Sequence, residues 1–530
     1  MKEHYFMGVD VGSASVRAGV FTQAGERLAF AVRPINQFRP APKRVEQSSR
    51  EIWQQTCEAI REAVRQAGIS PQAVASIGFD ATCSLVAIDE NGNGIPVSEL
   101  GDDACHDIIM WMDHRAGDET AELNATTDEA LNFVGGEISI EMQLPKALWL
   151  KRHLPERYQK AWRLFDLADF MVWRATGIDA ASVCTLACKW NYLSHKKAFS
   201  DSLLEAVGLG ELRQKIPPTI LELGQPAGRL STEAARECGL TTDAIVAGGI
   251  IDAHAGGLAL VSTRPEGSLA VISGTSNCHM LVSADPVMVP GVWGPYWGAM
   301  LPGYWLNEGG QSAAGSLVEW TLAQHAYRAE LQQLARRQNC SEYQLLNQWV
   351  SDLEQRDPLP TRALHVLADH HGNRSPRSDP DARGAIIGLT LGQGRDELAR
   401  LYLATLQSIA YGTRHIIETM NQSGHHISRL VMCGGATKNP LWLREYANVT
   451  GCDIELSAEE DAVTLGAALL GAAAAGVFPS LTQAAHALVR PGDVIRTDPR
   501  YADFHQAKYQ VYLKLYQDAQ YAWQQMRRWR

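Results

Sequence analysis

The spacing of hydrophobic and polar residues predicts strands and helices that alternate from the start of the chain. Two short apolar runs, Tyr5–Val11 and Val16–Phe21, flank a polar turn and predict a β-hairpin. Residues 50–68 have apolar positions at helical spacing and end in a glycine, which is typical of a capped helix. Val74–Phe79 and Leu85–Asp89 are strand-like again. This order indicates an α/β architecture in which helices cover a mixed sheet.

A second α/β series begins near residue 244. Ala244–Ile251 and Ser268–Ser273 are predicted strands, and each is followed by a polar turn that contains glycine. Residues 8–13 and 271–276 both end an apolar run in glycine and hydroxyl residues. A match this short does not by itself establish a duplication. Together with the second α/β series, it favours two related domains.

The domain boundary is predicted near residue 256. Residues 1–256 would then form an amino-terminal domain and residues 257–530 a carboxy-terminal one. In the second domain the apolar spacing predicts a helix from about Asp396 to Met420. A tail helix is predicted from about Tyr501, where Tyr, Leu and Trp recur at helical spacing.

The composition and net charge of the chain argue against several classes of protein. The chain has 530 residues, 45% of them hydrophobic and 20% charged, as in soluble globular proteins. The net charge of −11 weakens attraction to phosphate polymers, so we expect no nucleic-acid partner. Apolar stretches such as Leu465–Phe478 are shorter than the roughly 20 residues that span a bilayer and indicate buried helices, not a membrane protein. Ten scattered cysteines fit reduced thiols in the cytoplasm.

The first candidate for chemistry is the turn of the predicted hairpin. Asp10 ends the first strand, and Gly12 and Ser13 follow it in the turn. The amides and hydroxyls of such a turn could approach phosphate oxygens, and Asp10 could hold a magnesium ion, through water. The alternative is a hairpin turn capped by its own aspartate.

Two further glycine turns are candidates for nucleotide contacts. Gly274 and Thr275 follow the strand at 268–273 and could meet phosphate through backbone amides and a hydroxyl. Gly434 and Gly435 follow another apolar run, and a glycine pair lets a flat base or ribose lie close to the backbone. Taken alone, the first is equally explained as an ordinary turn. The chain lacks the spacing of both the dinucleotide fingerprint and the P-loop at these turns.

Asp252 is the strongest candidate for a catalytic group. It is the single carboxylate in the apolar, glycine-flanked segment 247–257. A partly buried aspartate beside a bound hydroxyl can act as a general base. The alternative is a helix N-cap, because aspartate starts helices well.

Two polar clusters after apolar runs are candidates for a sugar site. Asp80, Thr82 and Ser84 form the first cluster, and Trp111 and Asp113 belong to the second. An aromatic ring beside hydrogen-bonding groups is a common way to hold a sugar. Helix caps and surface ion pairs explain the same residues without a ligand.

The cysteines and histidines do not predict a zinc site. Cys184 and Cys188 lack a second ligand pair at zinc spacing. His254 is predicted to pack against its neighbours or to support another group.

Taken in order, the Asp10 hairpin, the Asp252 segment and the two later glycine turns resemble the FGGY family of carbohydrate kinases over nearly the whole chain. The resemblance implies two α/β domains of the ribonuclease H-like type that actin and hexokinase share, with a cleft between them. Within the family the chain is most similar to the D-ribulokinase branch. The stretches that carry this similarity are 82–86, 292–296, 305–312 and 372–376.

The resemblance also implies a kinase that uses ATP and Mg²⁺. Asp252 would deprotonate the hydroxyl of the sugar, which attacks the γ-phosphate, with magnesium near Asp10. The residues implied on the sugar side are Asp80, Thr82, Ser84, Trp111 and Asp113, together with Asp252. The residues implied on the nucleotide side are Gly12, Ser13, Gly274, Thr275, Gly310, Gly434, Gly435 and Asn439.

The expected activity is phosphorylation of a pentulose, with D-ribulose converted to D-ribulose 5-phosphate. Other substrates of the same reaction class stay open, among them L-ribulose, D-xylulose, ribitol and glycerol. A noncatalytic sugar-binding protein or ATPase on the same scaffold is the alternative from another class, and Asp252 argues against it. The expected partners are the sugar and ATP, and a homodimer is left open.

Overall fold

The computed structural model describes residues 4–526 and residue 529. They fall into two compact units, each built from three stretches of chain. Unit 1 comprises the described residues up to 266, with 280–307 and 457–490, and unit 2 comprises 267–279, 308–456 and the described residues from 491. The predicted boundary between residues 256 and 257 therefore falls inside a helix of unit 1, and the spatial units differ from two contiguous halves.

Up to residue 266 the chain alternates strands and helices. The strands are β1 (Tyr5–Val11), β2 (Ser15–Phe21), β3 (Arg27–Pro34), β4 (Glu46–Gln47), β5 (Val74–Ala81), β6 (Leu85–Ile88), β7 (Ile108–Ile109), β8 (Arg163–Asp166), β9 (Ala180–Ser182), β10 (Thr219–Leu221), β11 (Pro226–Arg229), β12 (Ile245–Ala247) and β13 (Ile250–Ile251). The helices are α1 (Ser49–Ala67), α2 (Gly117–Ala125), α3 (Gln143–His153), α4 (Pro155–Lys160), α5 (Leu167–Thr176), α6 (Val183–Lys189), α7 (Asp201–Ala206), α8 (Thr232–Cys238) and α9 (Asp252–Val261).

The rest of the chain continues the alternation. Its strands are β14 (Ser268–Ser273), β15 (Asn277–Ser283), β16 (Trp293–Trp297), β17 (Trp305–Gln311), β18 (His365–Leu367), β19 (Ala385–Ile387), β20 (Arg429–Gly434), β21 (Asp453–Ser457) and β22 (Pro491–Ile495). Its helices are α10 (Gly315–Gln324), α11 (Arg328–Gln338), α12 (Glu342–Arg356), α13 (Arg395–Gln422), α14 (Pro440–Thr450), α15 (Ala462–Ala474), α16 (Leu481–Leu488) and α17 (Ala502–Met526).

Unit 1 is built on a mixed sheet. Its strands lie in the order β11-β12-β5-β1-β2-β3, and β13 also pairs with β5. Strands β1 and β2 form the predicted antiparallel hairpin, and β1 runs parallel to β5. Strands β12 and β13 are parallel to β5 as well. The predicted mixed sheet is confirmed.

Helices cover both faces of this sheet. Met7 and Val9 of β1 share a buried apolar cluster with Ile52 of α1. Residues alternate between the two faces of a strand, so Gly8 lies on the opposite face, where α15 packs. A Cβ at Gly8 would lie 1.8 Å from the carbonyl oxygen of Thr464, so only glycine permits this approach of helix to strand. Helix α15 is the apolar helix predicted near residue 465, and it completes unit 1.

Unit 2 has a parallel core. Strands β14, β20 and β21 run parallel and lie side by side in that order. Helices α13 and α17 match the helices predicted from about residues 396 and 501. Within the tail helix, the buried Lys508 donates hydrogen bonds from Nζ to the carbonyl oxygens of Thr361 (2.7 Å) and Leu364 (2.8 Å). These bonds anchor α17 to the body of the unit.

Across the residues that the structure describes, no helix is both long and apolar enough to cross a lipid bilayer. All ten cysteines lie among these residues, and none of them forms a disulfide.

Candidate active site

Three predicted aspartates meet at one edge of the sheet in unit 1. Strands β1 and β5 are paired so that Asp10 lies beside Asp80, and Asp80 is paired in turn with Ile250 of β13. Asp252 follows β13 directly and is the first residue of α9. Because the three strands are parallel, their carboxyl ends deliver the three carboxylates to the same edge.

An arginine and a fourth aspartate complete this group. Arg17 lies opposite Asp10 in the hairpin register and forms an ion pair with it. Arg17 Nη1 also donates to Asp461 Oδ2 at 2.8 Å. Asp461 caps α15 by accepting the amide of Thr464 at 3.0 Å. The sequence pattern did not indicate Asp461, because this residue is 444 positions from Arg17 along the chain. Arg17 could have been indicated by the register of the β1–β2 hairpin, which places it opposite Asp10.

Burial raises the pKa of each of the three strand-edge carboxyl groups. Desolvation raises the pKa of Asp10, and Arg17 partly offsets this. The pKa of Asp80 lies well above its usual range because of burial and the adjacent charge of Asp10. Desolvation, and then the charge of Asp10, raise the pKa of Asp252 to about 6. A carboxyl group with a pKa of this size is a base of useful strength near neutral pH.

Asp252 is held at the first position of α9. The amide of Ala253 donates to Asp252 Oδ1 at 2.7 Å, which orients the carboxylate. The N-cap position belongs to Ile251, so Asp252 is not the helix cap that the alternative interpretation of the sequence required. Asp252 is only half-buried, whereas Asp10 and Asp80 are fully buried. A substrate hydroxyl can therefore reach Asp252 more easily than its two neighbours.

The carboxylates outnumber the cations in this group. Asp10, Asp80, Asp252 and Asp461 lie around the single guanidinium of Arg17. Apart from the adjacent carboxyl group of Asp10, no described residue forms a hydrogen bond with the carboxyl oxygens of Asp80. Oxygen ligands of this kind suit Mg²⁺, and a divalent cation would offset the repulsion between them. The residues present therefore fit a magnesium ion at Asp10, with Asp80 beside it.

The predicted sugar residues form a connected polar chain next to this edge. Thr82 Oγ1 lies 3.1 Å from Ser84 Oγ, and Ser84 Oγ accepts the amide of Trp111 at 3.2 Å. Trp111 Nε1 then donates to Ser13 Oγ at 2.9 Å. The structure thus brings Thr82, Ser84 and Trp111 together with Ser13 of the hairpin turn, and the half-buried ring of Trp111 keeps one surface open.

A buried lysine positions the loop of Trp111. Lys146 Nζ donates to the carbonyl oxygens of Met110 (3.0 Å), Trp111 (3.2 Å) and Glu141 (3.1 Å). Burial lowers the pKa of Lys146 to about 8. A second lysine of unit 1, Lys189, is also buried and lies 4.6 Å from the centre of the Trp293 ring. Neither lysine is among the predicted site residues.

Asp113 has a structural explanation. Arg115 binds both of its carboxylate oxygens, through Nε at 2.8 Å and Nη2 at 2.7 Å. The amide of Val45 donates to Asp113 Oδ2 at 2.6 Å. The side chains of Asp113 and Arg115 are fully buried, so this pair fixes the loop. Its contact with a sugar stays a prediction.

In unit 2 the two predicted glycine turns leave neighbouring strands at the same end. Ser273 of β14 is paired with Gly434 of β20. Gly434 has a φ of 93°, and a Cβ there would lie 2.1 Å from the carbonyl oxygen of Ser273. Gly274 and Gly435 are exposed, with no atom closer than 3.8 Å to a Cβ built on either. Both turns therefore present backbone to open space.

The other two residues implied on the nucleotide side have structural partners. Asn439 donates from Nδ2 to the Tyr402 hydroxyl at 2.7 Å and accepts the amide of Trp442 at 3.3 Å, which caps α14. Gly310 lies buried inside β17, where a Cβ would meet Arg374 Cδ at 2.9 Å. Packing accounts for both residues, and their contact with a nucleotide stays a prediction.

Comparison with known proteins agrees with this arrangement. Residues 5–259 match the amino-terminal domain of the FGGY family of carbohydrate kinases, and residues 269–475 match its carboxy-terminal domain. The FGGY carbohydrate kinase domain-containing protein of Homo sapiens is 45% identical over 97% of this chain and 96% of its own length. A D-ribulokinase of Saccharomyces cerevisiae is 37% identical over 89% of this chain and 72% of its own.

A solved structure shows the same fold. The xylulose kinase of Rhodospirillum rubrum superimposes with a TM-score of 0.80 over 97% of this chain and 99% of that one, at 24% identity. The two family domains together cover most of the sequence. The chain belongs to the FGGY family of carbohydrate kinases and is a sugar kinase.

Proposed function

We propose that this kinase transfers the γ-phosphoryl group of ATP to a terminal hydroxyl of D-ribulose and so forms D-ribulose 5-phosphate. The observation that carries the proposal is Asp252, half-buried at the start of α9 with a pKa of about 6. The 37% identity to a D-ribulokinase supports the choice of sugar. The reduced cysteines support an enzyme of the cytoplasm.

Asp252 would act as the general base. Its carboxylate takes the proton of the attacking hydroxyl while the oxygen forms a bond to the γ-phosphorus. The bond from that phosphorus to the bridging oxygen breaks, and ADP leaves with the electron pair. The amide of Ala253 holds one carboxylate oxygen throughout, which keeps the other oriented. Phosphoryl transfer depends mainly on such alignment and on charge neutralisation.

The buried carboxylates beside the base would hold the metal. Asp10, with Asp80 as its neighbour, is the proposed Mg²⁺ ligand. When bound, magnesium neutralises charge on the phosphates during transfer. Arg17 holds Asp10 in place through their ion pair.

The two substrates would use different kinds of surface. On the sugar side, the ring of Trp111 and the hydroxyls of Thr82 and Ser84 supply one apolar surface and several hydrogen-bonding groups. On the nucleotide side, the exposed backbone of Gly274 and Gly435 lets phosphate or ribose approach closely.

The test is ADP release by the purified protein with ATP and magnesium. The substrates are D-ribulose, L-ribulose, D-xylulose, ribitol and glycerol, with a reaction that contains no sugar as control. We expect the highest kcat/KM with D-ribulose. A higher value with another sugar would refute the choice of substrate but keep the kinase. ADP release that does not depend on sugar would favour an ATPase, and no release with any substrate would favour a binding protein.

A further inference from the structure

A cluster of two cysteines and one histidine lies in unit 1 outside the residues assigned to the reaction. Cys184 and Cys188 are one turn apart on α6, and His254 lies on α9. One ligand atom from each of the three lies within 4.8 Å of the others. All three side chains are buried, with exposed fractions of 0 to 1%. The spacing of residues along the chain did not indicate this cluster, because His254 lies 66 residues beyond Cys188.

The distances suit a metal ion. Zinc bonds of about 2.3 Å to sulfur and 2.0–2.1 Å to nitrogen, at a tetrahedral angle, place the two ligand atoms about 3.6 Å apart. Cys188 Sγ and His254 Nε2 are 3.6 Å apart. Two cysteines at positions i and i+4 project from the same face of a helix, so both sulfurs can reach one ion. The cluster already has the spacing of metal ligands.

The charges also favour a divalent ion. Two thiolates and a neutral imidazole carry a charge of −2, which a zinc ion cancels. Cancelled charge matters at a buried site, because an uncompensated ion there is costly. Binding releases the two thiol protons to solvent.

We propose that Cys184, Cys188 and His254 bind a thiophilic d¹⁰ metal ion, zinc(II) by the balance of charge, and so tie α6 to the helix that begins with Asp252. Three soft protein ligands also suit copper(I), which accepts low coordination numbers. The proposal concerns binding, and it holds whether or not D-ribulose is the substrate.

The first experiment measures metal bound to the intact chain. The protein is produced in zinc-supplemented medium, desalted, and analysed for zinc by mass spectrometry. We expect about one zinc per chain in the unmodified protein, and at least tenfold less in Cys184→Ser and Cys188→Ser. Cys105→Ser is the matched control, because it removes an exposed thiol away from the cluster and should leave the zinc content unchanged.

Spectroscopy of the unmodified protein keeps the proposal falsifiable if a variant fails to fold. Cobalt(II) substituted for zinc should give thiolate-to-cobalt charge-transfer absorption, and zinc should raise the Tm. Titration with copper(I) against a chromophoric copper(I) chelator forms the second arm. Stoichiometric copper(I) binding without zinc binding would support the site and correct the metal. Absence of both, or equal metal in folded Cys188→Ser, would overturn the proposal.

Discussion

The three-aspartate edge of unit 1 and the paired glycine turns of unit 2 occupy equivalent places in their sheets but work by opposite means. Both lie where neighbouring parallel strands end. In unit 1 the chain places carboxyl groups at that edge, on the fully buried Asp10 and Asp80 and the half-buried Asp252. In unit 2 it removes side chains there, at Gly274 and Gly435. The first edge should respond to changes of charge and pH, and the second to changes of volume.

The charge of Asp252 provides the strongest test of this comparison. Asp252→Asn keeps the volume and removes the base, so kcat should fall about 10²- to 10⁴-fold. The affinity for ADP, measured by calorimetry, should stay within about twofold, because the unit 2 turns are unchanged.

Asp243→Asn is the matched control for that variant. Asp243 is an exposed aspartate of unit 1 whose ion pair with Arg229 spans 3.3 Å. Its replacement should leave kcat unchanged. If Asp252→Asn kept full turnover, Asp252 would not be the base.

Gly434 provides the next test, in which side-chain volume is added to a glycine turn of unit 2. Gly434→Ala places a Cβ 2.1 Å from the Ser273 carbonyl oxygen at a φ of 93°. We expect a loss of about 1–3 kcal/mol in the free energy of unfolding, measured in urea, because the turn must distort.

Gly435→Ala is the control for that distortion. The nearest atom to its Cβ would be 3.9 Å away, so stability should change little. Its effect should appear instead as a higher KM for ATP. Equal stability of the two variants would show that the turn is not constrained as the structure indicates.

The pH dependence of kcat/KM is the next test of the comparison between the two edges. Asp252 is active as a base only when deprotonated, and its pKa is raised to about 6. With saturating magnesium, kcat/KM should therefore be level above about pH 7 and fall about tenfold per unit below pH 6. The measurement is initial rates across pH 4.5–8, with the Tm followed in parallel. A limb centred below pH 4.5 would contradict the raised pKa.

The smallest expected effect concerns Trp111. Trp111→Phe keeps an aromatic ring but loses the 2.9 Å hydrogen bond from Nε1 to Ser13 Oγ. One such bond contributes about 1 kcal/mol, so KM for the sugar should rise about fivefold. The companion variant Ser13→Ala removes the same bond from the other side. If the bond alone matters, the double variant should show no further loss.

The sequence predicted those parts of the molecule that depend on local pattern. The hairpin, the α/β alternation and the apolar helix near residue 465 follow from the spacing of apolar residues. So does the placement of Asp10 and Asp252 after strands, because a polar residue that ends an apolar run marks a strand end. The resemblance to the FGGY family then implied a role for each of these motifs.

The parts that were not predicted depend on contacts between distant residues. The bond from Arg17 to Asp461 joins residues 444 apart, and no local pattern carries it. The buried pairing of Asp113 with Arg115, whose guanidinium also binds Glu46, is a structural contact that the sequence pattern did not indicate. The compact units are not contiguous halves, because residues 280–307 and the segment 457–490, which contains α15, both return to unit 1.

That return of α15 has a consequence for how the protein is made. The glycine of β1 that admits this helix is residue 8, whereas the helix itself ends at residue 474. During synthesis, one face of the first sheet therefore stays without its covering helix α15 until most of the chain has emerged from the ribosome. We expect chaperones to recognise this nascent intermediate, and a fragment ending at residue 266 to aggregate, because its exposed strands lack the helix that covers them.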